Sequence, residues 1–278
     1  RGRAVQRYGA PATVFSSGWH ANLALLTTIL DPGDIVASDQ YNHASIIDGL
    51  RLSGADKQIL PHGSTTLPPG CKALVVEGLY SMEGSVPDLK TARAACDAAG
   101  AWLVVDEAHA VGVLGPDGKG ACAEQGINAD FIVGTLGKAY GAYGAFVVGP
   151  QVLRDLLLSS GRAFIFTTGL PDGACTAAMT GLRLADHARR HLLQQNVSRL
   201  RQGLAQRGIR ALGQEHVVPI VLGAETMRIS EKLLEQGFYV PGIRAPTVPE
   251  GQERLRVTVS AAHLPSHVDG LLAALDRA

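Results

Sequence analysis

The sequence predicts an α/β fold on a mostly parallel sheet, followed by a smaller α+β domain, and three observations carry that prediction. Short, continuously apolar runs alternate with helical patterns, as in residues 73–77 (ALVVE), 101–106 (AWLVVD) and 131–135 (FIVGT). The chain holds 33 glycines but only 5% aromatic residues, which suits many tight strand-to-helix turns better than an aromatic-rich β-sandwich. Its 278 residues allow one or two domains at ~100–200 residues each.

Taken in order, Phe15 closes a strand, and Ser16, Ser17 and Gly18 lead into a helix start through Asn22. Residues 73–77 form a buried strand, and residues 91–99 a helix that stops at Gly100. Residues 101–106, 131–135 and 144–149 supply further strands. Continuous rather than alternating apolar residues imply burial on both faces, and helices between such strands imply βαβ units. Beyond these, residues 174–196 read as one long helix and 197–207 as a second. Strands at 217–222 and 255–259 and helices at 230–236 and 267–276 complete the smaller domain. The expected boundary lies near residue 187, giving a large domain over 1–187 and a small one over 188–278. Residues 63–70 are the linker-like stretch.

Composition excludes several functions. Hydrophobic residues at 46% and charged residues at 18% describe a folding chain, not a disordered one. Lys+Arg and Asp+Glu both number 25, so bulk electrostatic binding to nucleic acid is not expected. The four cysteines, Cys71, Cys96, Cys122 and Cys175, form no CxxC pair and indicate neither a zinc ribbon nor a disulfide scaffold. A reducing, cytoplasmic setting is the default. No apolar run approaches the ~18–20 residues that span a bilayer. Residues 1–3 (RGR) do not lead into a signal-peptide core and lack a Met, so the front of the chain is expected to be trimmed.

Asp106-Glu107-Ala108-His109 follows a buried strand, and ligands of open α/β sheets bind outside the carboxyl ends of strands. An Asp and a His three apart there can both face a ligand. The plain alternative is a helix-capping Asp beside a surface His. The same tetrad occurs in ATP-dependent helicases, but that reading needs a Gly-x-x-x-x-Gly-Lys-[Ser/Thr] loop, which is absent: Lys138 precedes Ala139 and Lys119 precedes Gly120. Lys138 itself lies in a glycine-flanked turn directly after a strand. Desolvation or a nearby cation at such a place favours the neutral, nucleophilic amine, although a solvated turn lysine fits too. Ser17, Gly18 and Trp19 open a helix, where main-chain N–H groups favour an anion; an ordinary serine cap is the alternative. Together, a lysine for an aldehyde, a carboxylate, a histidine and a phosphate-ready turn point to pyridoxal phosphate (PLP).

Eight segments then match one family in order: FSSGW, YNHASIIDGLRLS, EGLYSMEG, VVDEAHAVGVLG, GTLGKAYG, FIFTTGLP, IRAPTVPEG and ERLRVTVSAAH. On these the chain resembles the α-oxoamine synthases, which are fold-type-I PLP-dependent transferases. The resemblance implies that Lys138 attaches the cofactor, Asp106 keeps the pyridine nitrogen protonated, and His109 bonds the phenolic oxygen, with Ser81 near it. His43 should stack on the ring. Thr135 and the main chain of Gly18 and Trp19 should bind the phosphate, although relatives usually carry Tyr or Phe where Trp19 stands. A homodimer with a shared site is implied, in which Thr167 or Thr168 reaches the other subunit's phosphate. Arg256 should clamp the amino-acid carboxylate, and Glu77 should lie near substrate.

The implied activity is decarboxylative condensation of an amino acid with an acyl thioester. Residues 243–249, with Arg244, favour the biotin-pathway branch, which joins L-alanine to a pimeloyl thioester of CoA or a carrier protein. YNHASIIDGLRLS also suits glycine C-acetyltransferase, and FIFTT suits 5-aminolevulinate synthase. An inactive homologue that pairs with an active subunit is a different class of reading, opposed by the intact Lys138, Asp106, His109 and His43. Relatives carry a longer segment before FSSGW and a helix near residues 62–69, so an omission or a natural short form is expected. The helical pairs His187/His191 and His263/His267 would need further ligands and an open site to bind zinc, and are not expected to do so. Arg189 and Arg190 read as a solvated face.

Overall fold

The computed structural model describes residues 8–278. The expectation about residues 1–3 lies outside them. The chain runs β1 (Ala12–Phe15), α1 (Gly18–Ile29), β2 (Ile35–Asp39), α2 (Ala44–Ser53), β3 (Asp56–Leu60), β4 (Cys71–Glu77) and α3 (Leu89–Ala99). It continues through β5 (Trp102–Asp106), α4 (Ala121–Glu124), β6 (Phe131–Thr135), β7 (Ala145–Val148), α5 (Gln151–Ser160), α6 (Arg162–Ile165) and α7 (Asp172–Leu184). Then follow α8 (His187–Gln206), β8 (Val217–Val221), α9 (Thr226–Glu235), β9 (Gly242–Ile243), β10 (Arg254–Thr258) and α10 (Pro265–Leu275).

β1 to β7 form one seven-stranded sheet in the order β1-β7-β6-β5-β4-β2-β3. The neighbours from β6 through β5, β4 and β2 to β3 are parallel. β7 runs antiparallel to both β1 and β6. The central strands are buried because helices cover the sheet, as the continuous apolar runs predict. Leu25, Leu26 and Ile29 of α1 pack with Ile46 and Leu50 of α2, Val75 of β4, Val104 of β5 and Val133 of β6 in one core. α1 and α2 approach closely at Gly49: a Cβ there would meet Leu26 Cδ1 at 2.8 Å and the Asn22 carbonyl oxygen at 3.3 Å.

α3 starts two residues before the pattern predicts, because Asp88 caps it by accepting the Thr91 N–H at 3.0 Å. It ends at Gly100 in the left-handed conformation (φ 65°). The helix expected over 174–196 is instead two helices. Ala185 leaves helical geometry (φ −75°, ψ 56°), and the following Asp186 is of a type that favours caps over helix interiors. α8 then runs unbroken through Val197, where a break was expected. No helix or strand occurs between β3 and β4.

The chain divides into two compact units. One extends through Leu79 and resumes over Pro87–Asp186; the other joins Tyr80–Val86 to His187–Ala278. Tyr80–Val86 belongs with the second unit because β10 holds it: Arg254 Nη1 donates to the Met82 carbonyl at 3.2 Å and Arg256 Nε to the Ser81 carbonyl at 2.6 Å. In that unit β8, β10 and β9 make a three-stranded antiparallel sheet. His263 and His267 accept the main-chain N–H groups of Ser260 and Leu264. No helix of the described residues is long and apolar enough to cross a membrane.

Candidate active site

Five strand ends bring the candidate residues together in the first unit. β1 leads into α1, β2 into His43, β4 ends at Glu77, β5 at Asp106, and β6 at Thr135 shortly before Lys138. A pocket of about 180 Å³ lies there, far larger than the ~30 Å³ share of one water. Gly18, Trp19, His43, Glu77, Asp106, His109, Thr135 and Lys138 line it, together with Asn22, Ser45 and Ala108. Carboxyl ends of parallel strands converge on one side of a sheet, so residues distant in sequence meet.

Each wall has a local cause. Asp106 is buried, and both its oxygens accept: Oδ1 from the Ala108 N–H at 2.9 Å and Oδ2 from Asn22 Nδ2 at 2.7 Å. The next residue, Glu107, is fully buried and points away into the loop that follows. It accepts the N–H groups of Ala121 and Cys122, each at 2.8 Å. Burial pushes the Glu107 carboxyl above the usual carboxylate value, while those N–H bonds oppose the rise. The Glu107 N–H donates to the Val133 carbonyl at 2.8 Å, which extends the β5–β6 pairing just past Asp106.

His43 caps α2 at the pocket mouth, its Nδ1 accepting the Ser45 N–H at 3.2 Å. Burial of its pocket side lowers the imidazole's proton affinity; Asp106 opposes this and Lys138 adds to it. The Trp19 ring stands edge-on to His43, with centroids 6.4 Å apart. Ser17 caps α1 by accepting the His20 N–H at 3.3 Å. Gly18 and Trp19 occupy the first turn, where N–H groups have no intrahelical acceptor. Thr135 shapes the lysine turn: its hydroxyl donates to the Gly144 carbonyl and accepts the Gly137 N–H, both at 3.2 Å.

The other sequence-derived residues lie elsewhere. Thr167 and Thr168 fall between α6 and α7 and do not line this pocket. Ser81, Arg244 and Arg256 belong to the second unit. There Arg256 is partly buried, and burial lowers its pKa, while Arg244 is exposed. Asn22 and Ser45 were missed. Their signal was available: Asn22 shares the buried face of α1 with Leu25, Leu26 and Ile29, and Ser45 shares that of α2 with Gly49 and Ser53. Among the described residues no group of three or more His, Cys, Asp or Glu side chains could hold a metal ion.

Comparisons with known proteins give the family of the chain. The family model for aminotransferase class I and II matches residues 2–275, and the chain belongs to that family. A putative 8-amino-7-oxononanoate synthase from Desulforudis audaxviator is 44% identical over 97% of this chain and 74% of its own length. The crystal structure of 8-amino-7-oxononanoate synthase from Francisella tularensis is 29% identical, covers 99% of this chain and 84% of that one, and superposes with a TM-score of 0.88. A serine palmitoyltransferase variant from S. paucimobilis, solved with bound PLP and myriocin, is 32% identical over 99% of this chain and 74% of that one, at a TM-score of 0.94.

The donor set of the pocket fits PLP. Lys138 offers a primary amine for an aldehyde. Asp106 offers a carboxylate that already acts only as an acceptor, the partner a protonated ring nitrogen needs. His43 and His109 offer imidazoles, and the first turn of α1 offers N–H groups for a phosphate.

Proposed function

We propose that the chain catalyses the decarboxylative condensation of L-alanine with a pimeloyl thioester, of CoA or a carrier protein, giving 8-amino-7-oxononanoate, CO2 and the free thiol. The observation that carries the reading is the meeting of Lys138, Asp106, His109 and His43 beside the first turn of α1, at the carboxyl ends of parallel strands. The choice of alanine and a pimeloyl donor is supported by relatives at about 40% identity that are named 8-amino-7-oxononanoate synthase.

Bound PLP supplies an electron sink for the bonding electrons released at the amino acid's α-carbon. Lys138 Nζ would hold the cofactor and would take and return the α-proton of the amino acid. Asp106 keeps the ring nitrogen protonated, and Asn22 and the Ala108 N–H hold its two oxygens in place. His109 hydrogen-bonds the phenolic oxygen, with Ser81 assigned to the same region. His43 covers the ring face. Thr135, Gly18 and Trp19 hold the phosphate, joined by Thr167 or Thr168 of a second copy in a homodimer. Arg256 would bind the substrate carboxylate, and Arg244 and Glu77 would be further substrate-binding residues. The reaction is placed in the cytoplasm.

Two measurements test this. Borohydride reduction of the PLP-loaded protein should fix the cofactor on a peptide containing Lys138 and no other. Product formation should be compared for alanine, glycine and serine with pimeloyl, acetyl, succinyl and palmitoyl thioesters. The best kcat/KM should belong to alanine with pimeloyl. Preference for serine with palmitoyl would favour the activity of the other structural relatives, and glycine with acetyl that of glycine C-acetyltransferase.

A further inference from the structure

Asn22 is an amide on the apolar face of a helix, and only 2% of it is exposed. A buried amide needs partners. Its Nδ2 carries two protons and has two acceptors: Asp106 Oδ2 at 2.7 Å and Ser45 Oγ at 2.9 Å. An ionised carboxylate only accepts, so the amide must present its NH2 to this side. Ser45 Oγ therefore receives one of these protons, and its own proton points onward. The next polar atom is His43 Nδ1, at 2.8 Å. The Ser45 main-chain N–H also donates to Nδ1, at 3.2 Å. An imidazole nitrogen accepts only when it carries no proton, so the ring proton belongs on Nε2.

We propose that Asn22 and Ser45 form a hydrogen-bond relay, with Asn22 donating to Asp106 on one side and to Ser45 on the other and Ser45 donating on to His43, that ties the Asp106 carboxylate to His43 and holds that histidine as the neutral Nε2–H tautomer. Both are positioning residues, acting through Asp106 and His43. The close α1–α2 approach at Gly49, one turn beyond Ser45, brings Ser45 within reach of Asn22. The groups that face His43 are Asp106 from β5, Lys138 from the β6 turn, Glu77 from β4, which accepts its main-chain N–H, and the Trp19 ring from α1. Of these, Asp106 favours a positive imidazole and Lys138 opposes one. A proton added at Nδ1 would meet two donors. The inference bears on the proposed function: a neutral imidazole can lie against a protonated pyridine without like-charge repulsion, and a charged one cannot.

The tautomer is read directly from long-range proton–nitrogen correlation spectra of the full chain with 15N-labelled histidine, near neutral pH, without and with PLP. The His43 signals are assigned by their loss in His43→Gln. The wild-type chain should show a protonated Nε2 and an accepting Nδ1. Ser45→Ala should move the tautomer ratio about 5-fold toward Nδ1–H, the size of one ordinary hydrogen bond. Ser45→Thr restores a hydroxyl and should return the ratio, and Asn22→Ala should move it in the same direction as Ser45→Ala. A wild-type His43 protonated on Nδ1 overturns the relay, as does a Ser45→Ala protein that melts normally with an unchanged ratio. If Ser45→Ala does not fold, the wild-type tautomer decides alone. Failure of PLP to bind a chain that shows the expected tautomer would overturn the proposed function and leave the relay standing.

Discussion

The main-chain N–H of His43 donates to Glu77 Oε1 at 2.6 Å, tying the loop after β2 to the end of β4. Glu77 therefore has a supporting part in the pocket wall, since it fixes the backbone from which the His43 ring projects. Glu77 is 3% exposed, but His43 is exposed and the bond between them only partly buried, so water can take part of the lost acceptor's place. Glu77→Leu should cost about 1 kcal/mol, the net worth of one ordinary hydrogen bond. Glu77→Gln keeps a carbonyl oxygen and should recover most of that loss. Urea unfolding of the two variants checks this; equal stability of the Leu variant and the wild type would contradict it.

Asp106→Asn should hurt twice. Both Asp106 oxygens face donors, the Ala108 N–H and the Asn22 amide, so an NH2 in either place meets a donor head-on. The mismatch should lower stability by about 1–3 kcal/mol in denaturant titrations. Under the proposed function the variant also loses the charge opposite the ring nitrogen. A deficit of about 3–5 kcal/mol for an unpaired buried charge corresponds to roughly 10²–10⁴-fold in rate. Single-turnover CO2 release measures it, and a loss below about 10-fold would remove Asp106 from that role.

Much of the large unit was legible because its strands are buried on both faces, which writes them as unbroken apolar runs. The lysine turn and the Asp106–His109 segment stood out because chemistry-bearing residues follow such runs directly. Asn22 and Ser45 were not read, because each is a small polar residue whose importance lies in a contact across 23 positions. Periodicity alone puts them on buried faces, and asking why a polar side chain sits there would have found them. The break at Ala185 was missed because alanine continues a helix by propensity, and only the following Asp186 argued for a new start. The attachment of Tyr80–Val86 to the second unit depends on Arg254 and Arg256 reaching carbonyls about 170 positions away, which no local pattern encodes.

The pH dependence has a definite sign at His43. Burial lowers its folded-state pKa below the ordinary histidine value of about 6.5, so the folded chain prefers the neutral ring. Above that value its contribution to stability is fully present. As pH falls through the lowered folded pKa, the unfolded state binds its proton first and the contribution is lost. His43→Gln should therefore flatten the fall in unfolding free energy as pH drops below about 6.5, relative to the wild type. Denaturant midpoints across that range provide the comparison. Parallel curves for the two proteins would mean that His43 does not titrate in this way.

Glu107 and Gly120 offer a sharper test of how the loop beside Asp106 is built. Gly120 has φ +110°, and a Cβ on it would lie 2.7 Å from Glu107 Cδ. Gly120→Ala thus meets two obstacles, a backbone angle that L residues rarely adopt and a buried carboxyl with no room to retreat. Overpacking of this kind costs about 1–3 kcal/mol. Glu107→Ala removes the acceptor for the Ala121 and Cys122 N–H groups and should cost a similar amount for each unsatisfied donor. In the double variant the new Cβ occupies space that the carboxyl vacated, so the steric part of the Gly120→Ala penalty disappears while the backbone part remains. The combined loss should fall short of the sum of the single losses by about 0.5–3 kcal/mol, as for other contacting pairs. Denaturant unfolding of all four proteins measures the difference. Strict additivity would mean that the loop, rather than the carboxyl, yields to the added methyl.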